Sequence, residues 1–133
     1  MPCPNCDGPT LAFPVPESVR PHLPDEPAAA EICRDCLTLI TPIDPPAEYP
    51  DFSRILGEFP TGENGALAAA FVSRLGSLAI NRQEIEALAD LAEEQGVDVL
   101  LLVDRIAASG RIQPHFDIDR RRPQVQQILD RSE

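Results

Sequence analysis

Apolar residues recur about every three or four positions in the second half of the chain, the period of helices that bury one face. Leu67, Phe71, Leu75 and Leu78 predict a first helix over residues 66–78. Further helices are predicted over residues 82–95 behind an Asn81 cap, over residues 99–109 between Asp98 and Gly110, and from Pro123 onward. The segment at residues 99–109 opens with an apolar run that is also compatible with a buried strand, although the length of the segment and its flanking residues favour a helix.

Prolines crowd the first part of the chain, and only Pro114 and Pro123 lie beyond residue 60. Because proline lacks a backbone N–H and fixes φ, this part is predicted to form loops and short strands. The strand candidates are residues 10–15, 30–33 and 37–41. Residues 16–27 are predicted to be a proline-rich excursion, with His22 as a loop residue.

The change in composition divides the chain into three predicted parts. These are a metal module at residues 1–41, a proline-rich linker at 42–62 and a helical domain at 63–133. The linker contains one amphipathic turn, whose apolar face is formed by Phe52, Ile55, Leu56 and Phe59. Two interpretations of this turn stay open: it covers the core of the helical domain, which is favoured, or it binds a partner.

All four cysteines occur in two C-x-x-C pairs, Cys3 with Cys6 and Cys33 with Cys36. Each pair can offer two sulfurs to one ion from a single turn, and two pairs complete the tetrahedral coordination that Zn²⁺ prefers. Such a site has no open position for water or substrate, so it stabilises a fold and does not catalyse. The spacer at residues 7–32 is longer than the roughly 15–20 residues of the commonest four-cysteine pattern.

Other chemistry for the cysteines stays open. An all-sulfur tetrahedral site also accepts iron, so the sequence does not distinguish the two metals. A redox dithiol is disfavoured, because that function expects one pair at a helix N-terminus in a β-α-β setting.

Composition changes the interpretation of charge. The net charge is −11, and the basic residues are all arginine, which is typical of proteins from a cytosol of very high salt. A GC-rich genome would produce the same shortage of lysine. Since molar salt screens long-range electrostatics, the acidic charge is poor evidence against a nucleic-acid partner.

The remaining candidate groups are weaker. The cluster Arg120–Arg122 could contact phosphate, but nearby acidic residues favour a local ion-pair network. His115 with Asp117 and Asp119 could suggest a second metal site, although a capping or surface role is favoured. No phosphate-binding Gly-rich loop, HExxH or GxSxG motif is present, so no catalytic residue is assigned and no enzymatic activity is expected.

No targeting segment is visible at the start of the sequence, and the longest apolar run is far too short to cross a bilayer. A cytoplasmic location without a membrane partner is therefore expected. In that reducing compartment, paired cysteines favour metal binding over disulfides.

Several stretches together resemble an uncharacterised family of small haloarchaeal proteins with paired C-x-x-C motifs. The stretches are the opening Cys3-Pro-Asn-Cys-Asp-Gly-Pro, Ile32-Cys-Arg-Asp-Cys-Leu, Asp51-Phe-Ser-Arg, Ala79-Ile-Asn-Arg to Gly96-Val-Asp-Val, and Pro114-His-Phe-Asp-Ile-Asp-Arg-Arg-Arg. The resemblance implies zinc binding and a haloarchaeal cytosol, and it carries over no activity. Residues 1–41 also resemble zinc ribbons, which implies a metal-ligand role for the four cysteines alone.

The expected fold is mostly α, with a small N-terminal β zinc ribbon and a C-terminal bundle of three to four helices. The expected function is that of a non-enzymatic, zinc-binding adaptor with a protein partner. The alternative is a nucleic-acid-associated accessory factor of transcription or translation, by analogy with other ribbons. A zinc-buffering or redox protein is a third possibility.

Overall fold

The computed structural model describes residues 2–41 and 44–131, which form a small sheet followed by a helical region. The strands are β1 (Thr10–Pro14), β2 (Ala29–Cys33) and β3 (Leu39–Ile40), and the helices are α1 (Gly62–Arg74), α2 (Arg82–Glu94), α3 (Val99–Ala108) and α4 (Ile118–Arg131). Short 3₁₀ turns occupy Arg20–His22, Phe52–Arg54 and Leu75–Ser77. Five residues of the predicted parts lie outside the described residues, namely Met1, Pro42, Ile43, Ser132 and Glu133.

The sheet is antiparallel, with β2 between β1 and β3. Alternate residues of β1 face the core, so Leu11 and Phe13 are buried while their neighbours are partly exposed. The register pairs Thr10 with Cys33. This pairing brings the start of β1, shortly after Cys6, next to the end of β2, where the second cysteine pair begins.

The third strand is shorter than the predicted 37–41, because Leu37 has a φ of +64° and belongs to the turn before it. The proline-rich excursion packs against the molecule through the buried side chains of Val19 and Leu23. His22 lies in its 3₁₀ turn, with Nδ1 2.8 Å from the Glu84 carboxylate of α2. This contact joins the excursion to the helical region.

The helices follow the predicted periodicity, but three of them differ from the prediction at their ends. α1 begins at Gly62, upstream of the predicted residue 66, and the 3₁₀ turn Leu75–Ser77 replaces its predicted last turn. Asn81 precedes α2 but makes no side-chain cap hydrogen bond, so the predicted cap is wrong.

The helix prediction for residues 99–109 is confirmed, with Asp98 as the cap that accepts a 3.0 Å hydrogen bond from the Leu101 amide. The last helix starts at Ile118, upstream of the predicted Pro123. Asp117 caps it by accepting from the Arg120 amide at 3.3 Å, so Pro123 lies in the second turn and removes one backbone hydrogen bond.

One hydrophobic core includes side chains from all three predicted parts. Phe13 of β1 meets Phe52 with ring centroids 5.7 Å apart, and Phe52 lies 5.8 Å from Phe59. Phe52, Ile55 and Phe59 are buried, so the amphipathic turn packs into this core. The division of the chain at residues 41 and 62 stays a prediction, but the parts it separates share their packing.

The fold is therefore mixed α/β, with a three-stranded sheet near the N-terminus and a helical region that follows it. The expected C-terminal helical region is present with four helices among the described residues, but the chain as described is mixed α/β and not mostly α. The assignment of the front to the ribbon class stays a prediction.

The linker packs closely against α1 at Gly65. A Cβ at this position would lie 2.6 Å from the Pro60 carbonyl oxygen and 2.6 Å from Cε2 of Phe52. Gly65→Ala is expected to lower the free energy of unfolding by about 1–3 kcal/mol, measured by denaturant titration.

Gly57→Ala is the matched control, because no heavy atom lies within 4 Å of the added Cβ. Its effect should stay within about 0.5 kcal/mol. Alanine favours a helix over glycine by about 1 kcal/mol, so a stabilising Gly65→Ala would contradict the close packing of linker and helix.

Candidate metal centre

The four cysteine sulfurs converge, with all Sγ atoms within 4.8 Å of one another. Sγ of Cys3 lies 3.7 Å from that of Cys36, and Sγ of Cys6 lies 3.4 Å from that of Cys33. A zinc–sulfur distance of about 2.3 Å places tetrahedral sulfurs roughly 3.8 Å apart, whereas a disulfide needs about 2.05 Å. The separations fit four ligands around one metal ion and exclude two preformed disulfides.

Both cysteine pairs are held by the same backbone turn. In the first, the Cys3 amide donates to the Gly8 carbonyl at 2.9 Å, and the Asp7 amide donates to the Cys3 carbonyl at 2.8 Å. The second repeats both bonds: Cys33 amide to Thr38 carbonyl at 2.9 Å, and Leu37 amide to Cys33 carbonyl at 3.1 Å. The two loops are far apart in sequence but therefore have the same local backbone conformation, and their sulfurs converge between them.

The residue after each second cysteine is left-handed, with φ +62° at Asp7 and +64° at Leu37. Aspartate tolerates this conformation, but it costs a residue such as leucine roughly 1–2 kcal/mol. Leu37 is fully buried in the main core. Its packing offsets the backbone strain and ties the second loop to the hydrophobic interior.

Backbone and side-chain donors surround the sulfurs. The backbone N–H of Asn5 donates to Sγ of Cys3 at 3.4 Å. The backbone N–H groups of Asp35 and Cys36 each donate to Sγ of Cys33 at 3.4 Å. The Thr38 hydroxyl lies 3.0 Å from Sγ of Cys36. Because these donors stabilise negative charge on sulfur, they favour the thiolate that binds metal.

The surroundings shift the pKa values of the two thiols in the second pair in opposite directions. Burial raises the pKa of Cys33 to about 12. Burial acts in the same direction on Cys36, but hydrogen bonds from the Thr38 hydroxyl, the Thr38 backbone and the Asn5 side chain outweigh it and lower the pKa to about 6. Cys36 is therefore ready to bind as a thiolate near neutral pH, whereas metal binding must displace a proton from Cys33.

The segment between α3 and α4 braces the second loop. The amides of Gln113 and His115 donate to the carbonyls of Asp35 and Cys36 at 2.7 and 2.8 Å. His115 also donates from Nδ1 to the Cys36 carbonyl at 2.8 Å. Arg111 lies 3.7 Å from the Asp35 carboxylate and donates to the Ile55 carbonyl of the linker. The cysteine loop is thus connected to both the linker and the helical region.

Only the four cysteines come together among the predicted candidates. Within residues 2–41 and 44–131, they are the one group of three or more His, Cys, Asp or Glu side chains placed to hold a metal ion. His115 binds a carbonyl and Asp117 caps α4, so the two serve structural roles. Arg122 forms a two-pronged ion pair with Asp104, at 2.7 and 3.3 Å, and Arg121 donates to Gln124.

Sequence reasoning missed the residues that support the ligands, namely Asn5, Thr38, Arg111 and Gln113. One sequence feature could have indicated Thr38, since it lies five residues after Cys33, just as Gly8 lies five residues after Cys3. No sequence feature could have indicated Arg111 and Gln113, because their contacts with the cysteine loop depend on tertiary packing.

Comparison with known proteins places residues 2–129 in one family. The family model, a family of unknown function termed DUF6276, matches residues 2–129. The chain belongs to DUF6276. No curated protein and no solved structure matches this DUF6276 chain. Each helix in the part of the chain that the structure describes is too short or too polar to span a bilayer.

Treatment of this DUF6276 protein with a chelator tests how far metal binding at the four cysteines supports the fold. With a chelator present, amide hydrogen exchange should accelerate at residues 2–9 and 33–38, and also at 111–115, because Gln113 and His115 donate to the second loop.

Peptides around the ion pair of Asp104 with Arg122 serve as the internal control and should keep their exchange rates. Acceleration confined to residues 2–41 would contradict the brace and support an independent metal module.

Proposed function

We propose that this chain is a non-enzymatic zinc protein in which Cys3, Cys6, Cys33 and Cys36 hold one Zn²⁺ as a structural ion. The observation that carries the proposal is the convergence of the four Sγ atoms within 4.8 Å. Four sulfur ligands fill the tetrahedral coordination of zinc and leave no position for water or substrate. The ion therefore has a stabilising role.

The first cysteine loop depends on such an ion for its position. Pro4, Asn5, Cys6 and Asp7 are all exposed, so this loop contributes little to the hydrophobic core. The three buried cysteines form a cluster of their own, separate from the main core. Metal binding would supply the folding free energy that apolar burial does not supply here.

We further propose that the protein acts as an adaptor for a protein partner. A metal-fixed loop with exposed residues at its tip offers a preformed surface, which lowers the entropy cost of binding. A nucleic-acid role has less support, since two of the three arginines in the basic cluster bind neighbouring side chains.

The test is purification of the native protein, followed by elemental analysis and capture of bound proteins after nuclease treatment. About one zinc per chain is expected, with much less in Cys33→Ser and no change in the Gly57→Ala control. Metal-free wild-type protein would overturn the site, and iron in place of zinc would overturn the assigned metal. Loss of all bound proteins on nuclease treatment would favour the nucleic-acid alternative.

We also infer a cytoplasm of high salt as the working environment, from the net charge of −11 and the absence of lysine. Salt would screen the repulsion between carboxylates, so the melting temperature of the zinc-loaded protein should rise between 0.1 and about 2 M KCl. A melting temperature independent of KCl would contradict this inference.

A further inference from the structure

The four cysteines differ in their exposure to solvent. Cys6 is exposed, whereas Cys3, Cys33 and Cys36 are buried. Its Sγ lies 3.4 Å from that of Cys33, closer than the 3.7 Å between the sulfurs of Cys3 and Cys36. An exposed cysteine whose sulfur lies next to the sulfur of a buried cysteine is the arrangement needed for attack from solvent followed by internal disulfide formation.

A surface groove lies beside Cys6. Its volume is about 380 Å³, and it is lined by Cys6, Asp35, Cys36, Arg111 and Gln113. On the same measure, a cavity of roughly 10–15 Å³ already holds one water molecule, so the groove has room for hydrogen peroxide and small thiol reagents. Two of the four cysteines line this groove, and Cys6 is the exposed one of the two.

We propose that Cys6 is the site at which hydroperoxides open the metal centre, and that Cys33 is the resolving cysteine that closes a Cys6–Cys33 disulfide. This inference rests on the metal binding proposed above and assigns a modification site to one particular ligand. The bound metal keeps both sulfurs as thiolates, the form that reacts with peroxide.

The chemistry needs one hydroperoxide and two thiolates. The Cys6 sulfur attacks one oxygen of hydrogen peroxide, the O–O bond breaks, and hydroxide leaves, which gives a sulfenic acid on Cys6. The Cys33 sulfur then attacks the Cys6 sulfur, and the second oxygen leaves as hydroxide while the S–S bond forms. The two sulfurs lose two electrons in total, and one peroxide is reduced to two hydroxides.

The geometry makes this pairing easier than that of Cys3 with Cys36, whose sulfurs are 3.7 Å apart. The sulfurs of Cys6 and Cys33 must approach by about 1.4 Å to reach a disulfide length of roughly 2.05 Å. Cys6 and Cys33 belong to different loops, so the disulfide removes one ligand from each pair. Only Cys3 and Cys36 would then remain for the metal, which two sulfurs hold far less tightly than four. A dithiol reductant would restore the site.

The experiment uses zinc-loaded protein whose metal content has been measured beforehand. Hydrogen peroxide is added in increments, released zinc is followed with a chromogenic chelator, and free thiols are then blocked with N-ethylmaleimide for peptide mapping. Zinc release should parallel formation of the Cys6–Cys33 disulfide. In separate samples without peroxide, Cys6 should be the first cysteine alkylated by N-ethylmaleimide.

A groove variant tests access without changing a ligand. Gln113→Trp should slow Cys6 alkylation several-fold by filling the groove, while Gln127→Trp, at an exposed position on α4, should leave the rate unchanged. Equal rates in both variants would show that the groove does not control access.

The outcomes separate the two proposals. Protein without zinc at the start would overturn the proposed function together with this inference. Zinc-loaded protein in which Cys3 and Cys36 pair first, or in which all four cysteines are alkylated at the same rate, would overturn this inference alone.

Discussion

Convergence of four sulfurs from two distant loops is the constraint on which the front of this protein depends. The loops begin at Cys3 and Cys33, and each uses the same pair of backbone bonds to present its sulfurs. The shared turn requires a left-handed residue after the second cysteine, and Leu37 occupies that position in the second loop despite the cost of its β-carbon. Such a conformation persists where its surroundings hold it, here through burial of the leucine side chain in the core.

Two kinds of interaction connect the centre to the rest of the molecule. Hydrogen bonds from Gln113 and His115 fix the second loop against the segment that precedes α4. Apolar packing joins the sheet, the linker turn and the helices in one core, with Phe52 between Phe13 and Phe59. The first loop lacks comparable packing, since most of its residues are exposed. Its position therefore depends on the sulfurs more than that of the second loop does.

The sequence predicted the cysteine cluster because the C-x-x-C spacing is a local signal with a direct chemical meaning. It also predicted α2 and α3 well, since Asn81 and Asp98 precede strongly periodic segments. Pro123 misled the prediction for α4, because the Asp117 cap acts upstream of it and the helix tolerates one lost hydrogen bond. Long-range contacts, such as that of His115 with the Cys36 carbonyl, leave no pattern in a single sequence. The sequence also does not identify the metal, because four cysteine sulfurs can bind either zinc or iron.

X-ray absorption at the zinc edge of the purified, loaded protein is the most direct measurement of the central claim. The account predicts a single shell of four sulfurs at about 2.3 Å, with no nitrogen or oxygen ligand. A shell containing nitrogen or oxygen, or fewer than four sulfurs, would contradict a closed centre built from Cys3, Cys6, Cys33 and Cys36.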